Sequence, residues 1–233
     1  MSAKRALVTG VGPGTGLSVV RRLVEGGYEV AMIARNAERL QQIEAQLPGT
    51  RAFPVDVTDT PRLLATLDRV CAEFGTPEAL IHNAVGGGWG NFQEIDPAFL
   101  ARNFETNVMA FLHLAQRLAP AMIEAGRGVI IASGNTSALR GKSNFAGFAP
   151  TKAAQRILAE SMARDLGPKG VHVAYVLIDA VIDLAWTREK LPHQPDDFFI
   201  KPADIAGEIW HVMQQPRSAW SFNVEIRPFK ENW

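Results

Sequence analysis

Apolar residues along this chain of 233 residues fall into two alternating patterns. Short runs rich in Val, Ile, Leu and aromatic residues (KRALVTG, YEVAMIAR, TRAFPVDV, EALIHNA, RGVIIASG, VHVAYVLID and AWSFNVEI) read as strands. Between them, apolar positions recur with helical period over 15–26, 37–47, 59–74, 97–125, 150–166 and 202–214. The strand runs lack polar alternation, as strands covered on both faces do. Strand, helix and strand in repeated order predict a parallel sheet, because each right-handed crossover returns the chain through a helix. The expectation is an α/β fold, a three-layer, doubly wound parallel sheet of about seven strands. Residues 1–233 are expected to form it as a single domain, with no internal repeat or linker. One stretch breaks the pattern: LAWTREKLPHQPDDFFI, residues 184–200, mixes polarity around two prolines and is expected to be irregular and lid-like.

Charge narrows the partners. Lys plus Arg and Asp plus Glu both number 24, so the formal net charge is zero and no bulk field attracts nucleic acid or an anionic membrane surface. A small-molecule substrate or a protein partner is expected instead. The one cysteine, Cys71, lies in an apolar helical pattern and reads as core filling, since it can form neither an intrachain disulfide nor a thiolate cluster. The N-terminus enters a strand directly, without the pattern of a signal peptide, and no run approaches the ~20 apolar residues of a membrane span. A cytoplasmic location is expected.

Candidate chemistry begins after the first strand, at Thr9-Gly10-Val11-Gly12-Pro13-Gly14-Thr15-Gly16-Leu17, which leads into a helix. Glycines 10, 14 and 16 permit a tight turn, close approach to a pyrophosphate and close helix packing, and the helix N-terminus offers free N–H groups to an anion. A nucleotidase-type phosphate loop is excluded, because no Lys-Ser or Lys-Thr pair follows the glycines. At the end of the second strand stands Ala34-Arg35-Asn36, with no acid to bind a ribose 2′-hydroxyl. Arg35 suits a 2′-phosphate, so NADP is favoured over NAD.

The Gly10-x3-Gly14-x-Gly16 spacing, Asp56-Val57 after the third strand, Asn83-Ala84 after the fourth and Asn107-Val108 in the long helix resemble the short-chain dehydrogenase/reductase family over essentially the whole chain. That resemblance implies a Rossmann fold binding a dinucleotide. Gly10, Gly14, Thr15, Gly16 and Leu17 would hold the pyrophosphate, and Asp56 and Val57 would flank the adenine. Asn83, Ala84 and Ile182 would line the cleft, with Lys152 on the nicotinamide ribose. In the family, hydride passes between the nicotinamide and a carbonyl or alcohol. A tyrosine four residues before the lysine handles the proton, and a serine thirteen residues before that tyrosine orients the substrate oxygen. Here those positions hold Phe148 and Asn135, and neither tyrosine of the chain, Tyr28 or Tyr175, precedes a lysine by four residues. The enoyl-reductase spacing fails as well, since it falls on Phe145.

The catalytic positions expected from the resemblance are therefore Asn107, Asn135, Phe148 and Lys152. Asn135 can donate an amide hydrogen bond to a substrate oxygen, and a water held by Lys152 and Asn107 can deliver the proton. Ser143, His82 and His113 are weaker candidates, and strand alternation is expected to turn Ser133 and Ser137 away from the site. Gly86-Gly87-Gly88-Trp89-Gly90 is expected to form a flexible wall of the cleft, with Trp89, Phe145, Phe148 and Trp186 around an apolar substrate. Asp179-Ala180 stands where the family has Pro-Gly, and Asp183 where it has a threonine on the carboxamide. Two readings stay open: an NADP-dependent oxidoreductase with altered proton delivery, and a catalytically silent NADP(H)-binding redox sensor or interaction module. Apolar residues around the helices 97–125 and 150–166, with Phe229 and Trp233 in the tail, suggest a homodimer or homotetramer.

Overall fold

The structure is a computed structural model describing residues 3–230. Its centre is a parallel sheet of seven strands: β1 (Lys4–Thr9), β2 (Tyr28–Ala34), β3 (Thr50–Pro54), β4 (Ala79–His82), β5 (Gly128–Asn135), β6 (Val171–Ile178) and, at one edge, the strand Asn223–Ile226. The helices are α1 (Thr15–Glu25), α2 (Ala37–Gln46), α3 (Thr60–Arg69), α4 (Pro97–Phe104), α5 (Ala110–Glu124), α6 (Ala149–Leu166), α7 (Ala185–Lys190) and α8 (Pro202–Met213). A two-residue pair, β7 (Val181–Ile182) with β8 (Phe199–Ile200), precedes the edge strand, which is β9. The order across the sheet is β3-β2-β1-β4-β5-β6-β9. The chain runs outward from β1 to β3 and restarts at β4 on the other side, so the switch point lies between β1 and β4.

Strands β1 to β6 feed both layers, whereas the edge strand β9 alternates, with Val224 and Ile226 packed on one core and Asn223 and Glu225 exposed. Leu7 of β1 packs in one core with Leu63 and Leu67 of α3 and Phe111, Leu114 and Leu118 of α5. Its neighbours Ala6 and Val8 pack in the other core, with Val19 and Leu23 of α1, Leu40 of α2 and Ile205 and Ile209 of α8. Helix starts follow local chemistry: Asn36 caps α2 by accepting from Arg39 N at 2.8 Å, and Asp59 caps α3 by accepting from Arg62 N at 3.2 Å.

The expected elements differ from the observed ones chiefly at their ends. The run 97–125 is α4, then a π-helical turn at Glu105–Met109, then α5; the run 59–74 is α3 followed by a π turn at Val70–Phe74. Such a wide turn shifts the helix face by about one residue and frees a carbonyl from its usual partner. The segment 184–200 is more ordered than its polarity suggests, since it holds α7 and β8, and Arg188 pairs with both Asp183 and Asp196. Cys71 is half-buried and packs against the core, as expected. Trp233 lies outside the described residues, while Phe229 is exposed.

Candidate active site

At the C-terminal ends of β1 and β4 the chain is held tightly. Gly10 takes φ +69°, and a Cβ there would stand 2.5 Å from Ala84 N, so only glycine fits against the Asn83-Ala84 backbone. Asn83 fastens this approach: Nδ2 donates to Gly10 O at 3.0 Å, and Oδ1 accepts from Ser133 Oγ at 3.1 Å. Gly16 packs α1 onto the loop, where a Cβ would collide with Gly10 O. The side of Gly14 is covered by Leu184. Arg188 holds the Asp183 carboxyl below the usual carboxylate range through hydrogen bonds of 2.7 and 2.9 Å.

Three features fit this loop to an anion. The N-cap of α1, Gly14, has no capping side chain. Thr15 Oγ1 is buried and has no hydrogen-bond partner among the described residues. Beside Gly12 the space is open, with nothing within 4 Å of a Cβ position. Phosphate oxygens of a dinucleotide could satisfy the free helix N–H groups there. Leu17 donates its N–H to Gly12 O at 3.1 Å, which closes the turn. Arg35 is exposed just past β2, Val57 is buried, and Asp56 caps a turn, its Oδ1 accepting from Thr58 N at 3.0 Å and Thr58 Oγ1 at 2.9 Å. Ile182 lies in β7, and its carbonyl accepts from Thr187 Oγ1 at 2.6 Å.

The other expected residues converge around the π turn and the start of α6, in a network that is almost closed. Asn107 is fully buried; its Nδ2 donates to Gly86 O at 2.7 Å and Thr151 Oγ1 at 2.8 Å, and its Oδ1 accepts from Gly86 N at 2.9 Å. The glycine stretch 86–90 is therefore clamped and not the flexible wall expected. Phe148 packs on Gly87, Phe99 on Gly88, and Gly90 N donates to Asn144 O at 3.0 Å. Asn135 is paired with Ile178 in the sheet register, donates Nδ2 to Ile178 O at 3.1 Å and accepts from Ser137 N at 2.8 Å. One amide N–H of Asn135 is left for a ligand. Ser133 is two residues from Asn135 and so shares its strand face, contrary to the expected divergence; its Oγ is turned to Asn83.

Lys152 is 2% exposed, with Nζ donating to Ser133 O at 2.9 Å and to Gln155 Oε1 at 2.6 Å. Burial pushes its pKa down to about 7. Gln155 was not among the expected residues. It is fully buried, and its Nε2 donates to Asn107 O at 2.7 Å, so an amide stands where a water was expected between Lys152 and Asn107. Its signal in the sequence was the spacing Thr151-Lys152-x-x-Gln155, three polar residues on one face of a helix whose neighbours are apolar.

Phe148 is half-buried at the N-cap of α6, with Lys152 Nζ 6.0 Å from its ring centre. Phe145 lies 4.6 Å from Trp89 and 6.5 Å from Phe148, centre to centre. The structure thus groups Trp89, Phe145 and Phe148; Trp186 is exposed and faces Lys190 instead. His82 is structural: Nδ1 meets Thr9 Oγ1 at 3.0 Å, Nε2 meets Thr106 O at 3.1 Å, and burial pushes its pKa down to about 3, leaving a neutral ring. His113 is half-buried on α5 and Ser143 is exposed; neither joins this network.

A family model described as short chain dehydrogenase matches residues 4–188, more than half of the chain. The chain belongs to the short-chain dehydrogenase family. Among relatives, the 7alpha-hydroxysteroid dehydrogenase of Escherichia coli K12 is 32% identical over 232 residues, covering 94% of this chain and 90% of that enzyme. Among solved structures, a short-chain dehydrogenase from Rhodopseudomonas palustris superposes with TM-score 0.84 at 29% identity, covering 98% of this chain and 100% of that one. A metagenomic short-chain oxidoreductase in complex with NADP superposes with TM-score 0.84 at 26% identity and 98% coverage of each chain. As in a short-chain dehydrogenase generally, the glycine loop here leads from the first strand to the first helix. No helix among the described residues is long and apolar enough to cross a membrane.

Proposed function

We propose that this chain is an NADP-dependent oxidoreductase acting on a small apolar carbonyl, alcohol or activated double bond, with proton delivery that uses no tyrosine. The observation that carries this reading is the open cradle at the β1–β4 switch point, where Thr15 Oγ1 lies buried without a partner among the described residues. Gly10, Gly14, Thr15, Gly16 and Leu17 hold the pyrophosphate, Arg35 the 2′-phosphate, and Asp56 and Val57 flank the adenine. Asn83, Ala84 and Ile182 line the cleft, with Lys152 toward the nicotinamide ribose. NAD is the poorer fit, because no acid follows β2. When bound, the nicotinamide supplies or accepts hydride. Trp89, Phe145 and Phe148 exclude water and hold the apolar part of the substrate, in keeping with a relative named for a hydroxysteroid. Phe148 stands at the position of the family's proton donor and Asn135 at that of its serine; the free amide N–H of Asn135 orients the substrate oxygen.

The test is substrate-dependent loss of NADPH absorbance across carbonyl, enone and imine panels. Saturable NADPH binding without turnover would overturn the enzyme reading. It would favour the second one, a silent NADP(H)-binding redox sensor or interaction module, for which the internal saturation of Asn107 speaks. In either case we read a single cytoplasmic domain that assembles as a homodimer or homotetramer through α5 and α6, where Ile157 is 58% exposed. Elution at the monomer mass of 25.4 kDa would contradict the assembly.

A further inference from the structure

Four acceptors and donors in the interior fix one another. The carbonyls Asn107 O and Ser133 O can only accept, so the Gln155 amide must turn Nε2 to Asn107 and Oε1 to Lys152. Lys152 Nζ must then donate twice, to Gln155 Oε1 at 2.6 Å and to Ser133 O at 2.9 Å. A neutral amine has two N–H groups and an ammonium three, so both protonation states satisfy these acceptors, and only the third position on nitrogen changes, from lone pair to N–H. That third position has no protein acceptor among the described residues. The π turn at Glu105–Met109 sets Asn107 facing α6, and Asn107 in turn clamps Gly86.

We propose that Gln155 is a positioning residue: by bridging Lys152 Nζ to the Asn107 carbonyl it fixes one position of the amine, Ser133 O fixes a second, and the third is left as the site's exchangeable proton. The proposal rests on the oxidoreductase reading for its chemistry. In the reducing direction, hydride from a reduced nicotinamide, which is left oxidised, would add to the carbonyl carbon, and the C=O π pair would move to oxygen. The Nζ–H bond breaks, nitrogen keeps its electron pair, and the proton goes to that oxygen; the neutral amine then takes a proton from water. The titratable groups facing Nζ are His82 of β4, pushed down to about 3, and Tyr175 of β6, pushed up by burial. Neither changes charge near neutrality, and Arg156, next on α6, is turned to Glu160 and Asn223. Burial places the Lys152 midpoint at about 7, where the amine can both give and take a proton.

The decisive measurement is a carbon-13 NMR titration of Cε-labelled lysines in the whole protein, needing neither cofactor nor substrate. The Lys152 signal is identified by its loss in Lys152→Met, or, if that variant does not fold, as the one resonance moved by Gln155 substitutions. In the wild type it should titrate near neutrality. Gln155→Met removes an acceptor that stabilises the ammonium and should lower the midpoint by about one pH unit. Gln155→Glu places a carboxyl at the same distance and should raise it by at least as much. Opposite displacements in whichever variants fold, tracked by the pH profile of NADPH-dependent reduction, support the proposal. A wild-type midpoint at the ordinary lysine value, or one unmoved by both substitutions, overturns it. Displacements without turnover on any substrate would sink the oxidoreductase reading and leave the positioning role standing.

Discussion

At the glycine-loop end of the site, groups are left open: Thr15 Oγ1 has no partner among the described residues, the helix above it has no capping side chain, and Arg35 is exposed. At the lysine end the reverse holds. Asn107, Asn135, Lys152 and Gln155 are all hydrogen-bonded within the protein, and among their donors what remains is one amide N–H each on Asn135 and Gln155 and one position on a buried nitrogen. Unsatisfied buried polar groups cost free energy, so open valences mark where a polar ligand is taken up. A closed network marks where geometry is held in place. The two ends therefore differ in kind: on the proposed function the open end would receive a dinucleotide, while the closed end holds an amine beside an aromatic group.

Four changes would break or sharpen that contrast. The largest effect is expected from restoring hydroxyls at the closed end: Phe148→Tyr with Asn135→Ser should raise carbonyl reduction ~10²- to 10⁴-fold, measured as NADPH-dependent kcat/KM. No gain with intact NADPH binding would show that the lysine end is not placed over the nicotinamide. At the open end, Gly10→Ala forces a side chain into the Ala84 backbone at a φ of +69° and should cost about 2 to 4 kcal/mol. A Tm lower by several degrees, with NADPH binding lost, is the expected readout; unchanged binding would separate the loop from the cofactor.

Between the two ends lies His82, whose pH dependence can be signed. Its folded pKa is depressed from 6.5 to about 3, so its contribution to stability is fully present above about 6.5 and is lost as pH falls toward 3. In urea unfolding His82 should contribute about 1.4 kcal/mol per pH unit to the fall in stability in that window, and His82→Asn should reduce the slope by that share. The smallest effect is expected at Arg35→Ala, which should weaken NADPH by roughly tenfold, the worth of one exposed charge contact, and leave NADH unchanged. Equal losses for both would remove the basis for preferring NADP.

Much of this was legible in the residues. Helix and strand patterns gave the sheet and its covering layers, because a side chain's exposure repeats locally with period 2 or 3.6. The glycine loop was legible too, since a positive φ or a backbone contact admits few other residues, as Gly10 and Gly16 bear out. What local pattern could not reach were partners far apart in sequence. Gln155 meets Asn107 across 48 positions, Lys152 meets Ser133 across 19, and Thr9 meets His82 across 73. Nor could it foresee that Asn107 clamps Gly86 and stiffens a stretch whose composition reads as loose. The sequence by itself determined the layered fold, the glycine turn and the absence of a hydroxyl at residue 148. Only the tertiary structure decided which polar groups are already satisfied, because a hydrogen-bond partner is chosen by position in space and each donor can be committed only once.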